Sequence, residues 1–176
     1  GTVGTPPLPA QTAGGMQDTK HNLSVTGPGP IRAQGETRIC IFCHTPHNAL
    51  VSGDGGVLWN HAETTQTFVM YSSTAGQPEG TSKMCLSCHD GSVAVNSYGN
   101  LNQPPTSQSG GGFPISPGYV IGQDLYLGNH HPIGFNYDDV QSVDTEIRSA
   151  DTAQLGTSGS VRDHLLGAGN TQLECA

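Results

Sequence analysis

The sequence has few of the residues from which a protein usually builds its interior. Hydrophobic residues make up 34% of its 176 positions and aromatic residues 6%, while 25 glycines and 12 prolines interrupt it throughout. Such a chain can bury only a small apolar core of its own. Charged residues are also scarce, at 11%, so the composition lacks the high charge that is typical of disordered proteins.

Positive charge is scarce as well. Six Lys and Arg residues stand against 14 Asp and Glu, for a formal net charge of -8. This balance argues against binding to nucleic acid or to an anionic membrane surface. No apolar run reaches the roughly 18 residues of a membrane span. The sequence starts at Gly1 without a charged and then apolar leader, which predicts a mature exported protein, extracellular or periplasmic, whose signal peptide has been removed.

What the sequence does contain is the pattern C-x-x-C-H, at residues 40–44 and again at 85–89. Two cysteines three positions apart lie on one face of a helical turn, so both can form thioethers with vinyl groups on one edge of a porphyrin. The next residue, His, is then held under the iron as its proximal ligand. The pattern predicts two c-type haems, attached through Cys40, Cys43, Cys85 and Cys88 and ligated by His44 and His89.

Two other kinds of site also use paired cysteines. A zinc ribbon usually has about 15–20 residues between its pairs, whereas Cys43 and Cys85 are much farther apart, and zinc does not require a His directly after each pair. A thioredoxin-like redox motif lies in a βαβ unit, and the sequence has no such pattern. Haem attachment therefore fits the repeated motif best.

Distal ligands are the next requirement. Six histidines remain beside the proximal pair: His21, His47, His61, His130, His131 and His164. Met16 and Met70 are the competing ligands, because Met84 is tethered on the wrong side of Cys85. The surplus of histidine favours bis-His, low-potential iron. His47 cannot bind the iron above His44, so it either serves another haem or is polar surface.

The predicted fold is mostly irregular and rich in loops. We expect a few short α-helices at the attachment motifs, little β-structure, and a core built around covalent haems. Residues 1–20 have no periodicity and are predicted to form an extended N-terminal arm, or a disordered terminus, before one multihaem domain at 21–176. Residues 100–118 form a Pro/Gly/Ser-rich loop, and Val140, Val143 and Ile147 have weak helical spacing.

Several runs of the sequence resemble the multihaem c-type cytochromes, a family that includes extracellular cytochromes polymerising into conducting filaments. These runs include HNLS at 21–24, RICIFCHTPHNAL at 38–50, LWNH at 58–61, SKMCLSCHDGSVAV at 82–95 and HPIGFNYD at 131–138. The resemblance implies distal ligands at His21, His47 and His131, with His61 plausible. His130 and His164 are weaker candidates, which the resemblance does not single out. Such chains commonly continue with L-E-C-x-x-C-H, so Cys175 is a candidate start of a third haem motif.

The functional expectation is electron transfer rather than catalysis. Bis-His haems leave no coordination position for a substrate, and the expected partners are other cytochromes, copies of the same chain, or extracellular electron acceptors. Two alternatives stay open: a diffusible periplasmic shuttle, and a multihaem redox enzyme such as a peroxidase or reductase. The enzyme would need one iron with an open distal site and acid–base groups above it.

Overall fold

The structure is a computed structural model that describes residues 14–47, 49, 57–71, 76–95, 97–98, 108–109, 115 and 117–175. Most of the predicted N-terminal arm and most of the predicted loop at 100–118 lie outside these residues. Within the residues described, no helix is both long and apolar enough to cross a membrane.

Regular structure is sparse in this part of the chain. Two α-helices are present, α1 at Gly80–His89 and α2 at Tyr137–Val143. The strands are two residues long and pair antiparallel as two ribbons, β1 (Arg32–Ala33) with β2 (Gln108–Ser109) and β3 (Phe135–Asn136) with β4 (Gln172–Leu173). Single 3-10 turns occur at Met16–Asp18, Cys40–Phe42, Pro117–Tyr119, Gln123–Leu125 and Val161–His164.

The two C-x-x-C-H motifs differ in backbone structure. The second motif forms the last turns of α1, as its sequence predicts. The first motif is a single 3-10 turn, Cys40–Phe42, and not an α-helix. The chain leaves the turn because His44 pairs with Trp59 in a β-bridge and the amide of Thr45 donates to Leu58 O. Similarly, α2 ends at Val143, so Ile147 lies beyond it.

One small apolar cluster packs against α1. Phe68, Leu86 and Leu127 are almost fully buried, and Leu86 lies between the two cysteines of the second motif. The partly buried residues around this cluster are Met70, Tyr71, Ile121, Leu125 and Ile133. Other buried apolar side chains among the described residues, such as Phe42, Trp59 and Leu165, lie outside this cluster.

A polar turn follows His21 and fixes the backbone there. The Asn22 side chain is buried, donates to Gln17 O and accepts from the amide and hydroxyl of Ser24. Gly27 closes the turn, and a Cβ at this position would lie 1.9 Å from Asn22 O. Any side chain at Gly27 would therefore push the turn apart.

The C-terminal region is tied together by Arg162. Its guanidinium donates to both carboxylate oxygens of Asp138, each at 2.9 Å, and to both oxygens of Asp151. The paired geometry of the planar guanidinium suits carboxylates particularly well. The contact links α2 to the two loops that precede β4.

Candidate functional site

The two motif histidines have the same hydrogen-bonding pattern. Nδ1 of His89 lies 2.8 Å from Tyr119 O, and Nδ1 of His44 contacts Val57 O. A carbonyl oxygen can only accept, so Nδ1 carries the proton in both rings. In the neutral imidazole, Nε2 then keeps its lone pair. Both histidines are therefore held in the tautomer that can bind a metal through Nε2.

The acceptor carbonyls belong to apolar residues that remain exposed. Val57 is 43% exposed and Tyr119 is 40% exposed. Leu58, which follows Val57, is 53% exposed. Large apolar side chains next to potential iron ligands can be covered by a flat apolar group such as a porphyrin. Covering these side chains would remove apolar surface from water, which lowers the free energy.

Four of the five cysteines converge. The thiols of Cys43, Cys85 and Cys88 lie close enough for their charges to interact, and the Cys85 thiol is hydrogen-bonded to Cys175. Burial, together with the nearby Cys43, raises the pKa of Cys88 to about 12. The hydrogen bond raises the pKa of Cys85 and lowers that of Cys175. The two attachment motifs are thus neighbours, although 41 residues separate Cys43 from Cys85.

His21 lies beside the proximal histidine of the second motif. The ring centroids of His21 and His89 are 6.1 Å apart, and their planes are nearly perpendicular at 88°. Two imidazoles on opposite sides of one metal ion, each bound at about 2 Å, have nitrogens about 4 Å apart. Their ring centres are farther apart by one ring radius at each end. The observed separation of 6.1 Å matches such a pair, and it also lies within the range of an edge-to-face contact between two rings.

His61 has a different environment. It is buried, with Nδ1 2.8 Å from Ala62 O and Nε2 3.1 Å from Ala94 O and 3.5 Å from the Sγ of Cys88. Burial lowers its pKa, so the ring is neutral and has one proton for two carbonyls. Neither nitrogen faces open space, so His61 would have to rotate before it could bind iron.

The remaining histidines lie apart from this pair of rings. His47 is exposed at the end of the first motif, where Thr45 Oγ1 caps its amide. His131 is exposed and contacts Pro132 O through Nδ1, which leaves its Nε2 lone pair available. Nε2 of His130 accepts from the Gly122 amide, whereas Nε2 of His164 contacts Ser158 O.

The three methionines, of which Met16 and Met70 were the alternative candidates for distal iron ligands, lie in three different environments. Met16 is 55% exposed, and its sulfur accepts from the Thr19 hydroxyl, whereas Met70 packs against the apolar cluster. Met84 is buried in α1.

One buried polar atom beside the first motif has no partner. Nε1 of Trp59 is buried and has no hydrogen-bond acceptor among the described residues. Trp59 pairs with His44 along the backbone. A buried donor left unpaired costs about 1–3 kcal/mol. A bound group with carboxylate side chains, such as haem, would offer the kind of acceptor that this region of the protein lacks.

Sequence reasoning missed three contributors to the site. Val57 and Tyr119 act through backbone carbonyls, which any residue possesses, so no residue pattern could indicate them. Asp90 directly follows His89 and is buried, accepting from the Thr64 hydroxyl and from the Ser92 amide and hydroxyl. The C-H-D run was the only available signal for Asp90.

Among the described residues, no group of three or more His, Cys, Asp or Glu side chains is placed to hold a metal ion without further ligands. The arrangement instead offers single histidines beside paired thiols. No protein-family model and no curated protein sequence matches the chain.

Proposed function

We propose that this protein is an electron carrier that binds two c-type haems. The cysteine pairs of the two motifs would attach the porphyrins, with His44 and His89 as proximal ligands. The observation that carries this proposal is that each motif histidine uses Nδ1 for a backbone carbonyl and leaves Nε2 for the iron. Proximal haem histidines need this orientation, because the second hydrogen bond fixes both ring and tautomer.

The second iron would have His21 as its distal ligand. The separation and perpendicular planes of the two rings support this pairing. Iron with two imidazoles has no free position for a substrate, so it exchanges electrons and does not bind a reactant. The distal ligand of the first iron stays a prediction, with His131 and His61 as candidates within the chain. His47 would serve a different haem.

The convergence of the cysteines supports transfer between the haems. Cys43 interacts with both Cys85 and Cys88, so porphyrins attached to these thiols would be close neighbours. The haems would supply the one-electron chemistry. The protein would attach them side by side, orient the proximal rings through Val57 and Tyr119, and cover part of each porphyrin with apolar side chains.

The proposed haem attachment also implies where the protein is located and which partners it has. Haem c is attached outside the bacterial cytoplasm, so the proposal places the protein in the periplasm or outside the cell. Its partners would be other cytochromes, copies of itself, or extracellular electron acceptors. The net charge of -8 is consistent with partners other than nucleic acid.

Haem content is the direct test. We expect intact mass and a pyridine haemochrome spectrum of the secreted protein to give one haem for each complete motif. Replacing Cys85 and Cys88 with Ala should remove one of them, while Cys175→Ala, the matched control outside the complete motifs, should keep both. A secreted protein without covalent haem, or one whose haem content is unaffected by the double substitution, would contradict the proposal.

A further inference from the structure

Tyr119 contacts the segments that carry both ligands of the second iron. Its backbone oxygen accepts from Nδ1 of His89 at 2.8 Å. Its hydroxyl accepts from Nζ of Lys20 at 3.0 Å, and the same ammonium lies 5.0 Å from the centre of the tyrosine ring. Lys20 is the residue directly before His21.

We propose that Lys20 and Tyr119 form a clasp that holds His21 in place as a ligand. This inference rests on the proposed haem between His21 and His89. Within it, Tyr119 is a positioning residue: its carbonyl orients the proximal ring, and its side chain anchors the segment that supplies the distal ring.

The turn that contains His21 is held together by its own hydrogen bonds. The Asn22 amide donates to Thr19 O at 3.1 Å, and the buried Asn22 side chain is bonded to Gln17 O and to Ser24. Lys20 is exposed, and its ammonium reaches out of this turn to the side chain of Tyr119. Release of Lys20 would let this turn move as a unit away from Tyr119, and His21 with it, while the hydrogen bonds within the turn stay intact.

The strength of the Lys20–Tyr119 contact determines how much its loss should increase the fraction of protein in which His21 has left the iron. Cation–π contacts at exposed sites correspond to about a two- to fivefold change in an equilibrium. Loss of the clasp should therefore raise the population in which His21 has left the iron by about this factor. It should not release the haem, because the thioethers to Cys85 and Cys88 are covalent.

The test measures departure of the distal ligand from the haem-loaded protein. Carbon monoxide binds reduced haem only after the distal histidine leaves, so its binding rate reports that population. We expect Lys20→Met to accelerate binding about two- to fivefold with an unchanged haem count, and Lys20→Arg to restore the slow rate. Tyr119→Leu should resemble Lys20→Met, and His21→Ala should give the fastest binding.

Matched controls separate the clasp from general effects of charge and ring loss. Lys83→Met removes a lysine that pairs with Glu63, and Tyr126→Phe removes the hydroxyl of another exposed tyrosine. Both should bind carbon monoxide at the wild-type rate. A wild-type rate in fully loaded Lys20→Met overturns the clasp, even where His21→Ala binds rapidly. Slow binding by His21→Ala would instead contradict the assignment of His21 as a ligand.

Discussion

Asp90 shows how a single residue stabilises the end of helix α1, which carries His89. Its buried carboxylate accepts from the Thr64 hydroxyl, from the Ser92 amide at 2.7 Å and from the Ser92 hydroxyl at 2.9 Å. Thr64 is also buried, so Asp90 links the chain before the helix to the loop after it.

We expect Asp90→Ala to lower the free energy of unfolding by about 1–3 kcal/mol, because it leaves the buried Thr64 hydroxyl without its carboxylate acceptor. Urea denaturation of the haem-loaded protein would measure the change. Asp139→Ala is the control, since Asp139 is exposed and surface substitutions usually change stability by less than about 0.5 kcal/mol. Equal stability of the two variants would show that the Asp90 network contributes little.

The sequence indicates the candidate side chains of the proposed haem sites, but not their surroundings. The repeated C-x-x-C-H spacing is specific enough to single out both motifs. The sequence could not indicate that His21 lies beside His89, because the two are 68 positions apart and only folding brings their rings together. The burial of His61 could not be predicted from the sequence either, since it depends on the packing of distant segments.

Helix α1 depends on a partner from the other end of the chain. Its N-cap residue, Glu79, makes no side-chain capping hydrogen bond. The carboxylate of Glu174 instead accepts from the Ser82 amide at 2.9 Å, and the Cys175 amide donates to the Ser82 hydroxyl at 3.0 Å. A carboxylate in this position also interacts favourably with the helix dipole.

Loss of this cap should weaken α1. We expect Glu174→Ala to cost about 1 kcal/mol of stability, as for other N-caps, with faster amide hydrogen exchange in the first turn of the helix. Glu79→Ala is the matched control, because the same side chain is removed without a capping bond. Faster exchange after Glu79→Ala but not after Glu174→Ala would show that the structural N-cap, and not the distant carboxylate, protects the turn.

Element prediction succeeded where the signal was local. The motif at 85–89 and the spacing of Val140 and Val143 both lie in α-helices. The motif at 40–44 has the same residue pattern and forms only a 3-10 turn, because pairing with 57–59 redirects the chain after His44. The contact between Glu174 and Ser82 spans 92 positions, and no local pattern could indicate it.

At the scale of the whole molecule, placement of the histidines bears on assembly. A ligand donated to the iron of a neighbouring subunit must be exposed and must not be committed to its own chain. His21 faces His89 of the same chain, so it is poorly suited to that role. His47 is exposed and, in the proposed arrangement, could not reach an iron bound by His44, which makes it a better candidate than His21.

We therefore expect haem-loaded protein to form fibres in negative-stain electron microscopy that depend on His47. A head-to-tail contact that does not close on itself generates an open fibre, and a histidine ligand across that contact would join each subunit to the next. His47→Ala should abolish the fibres and keep the haem count, whereas His21→Ala should open the second iron and leave the fibres intact. A wild-type protein that is a stable monomer with both irons six-coordinate would contradict assembly through His47 and favour a diffusible shuttle.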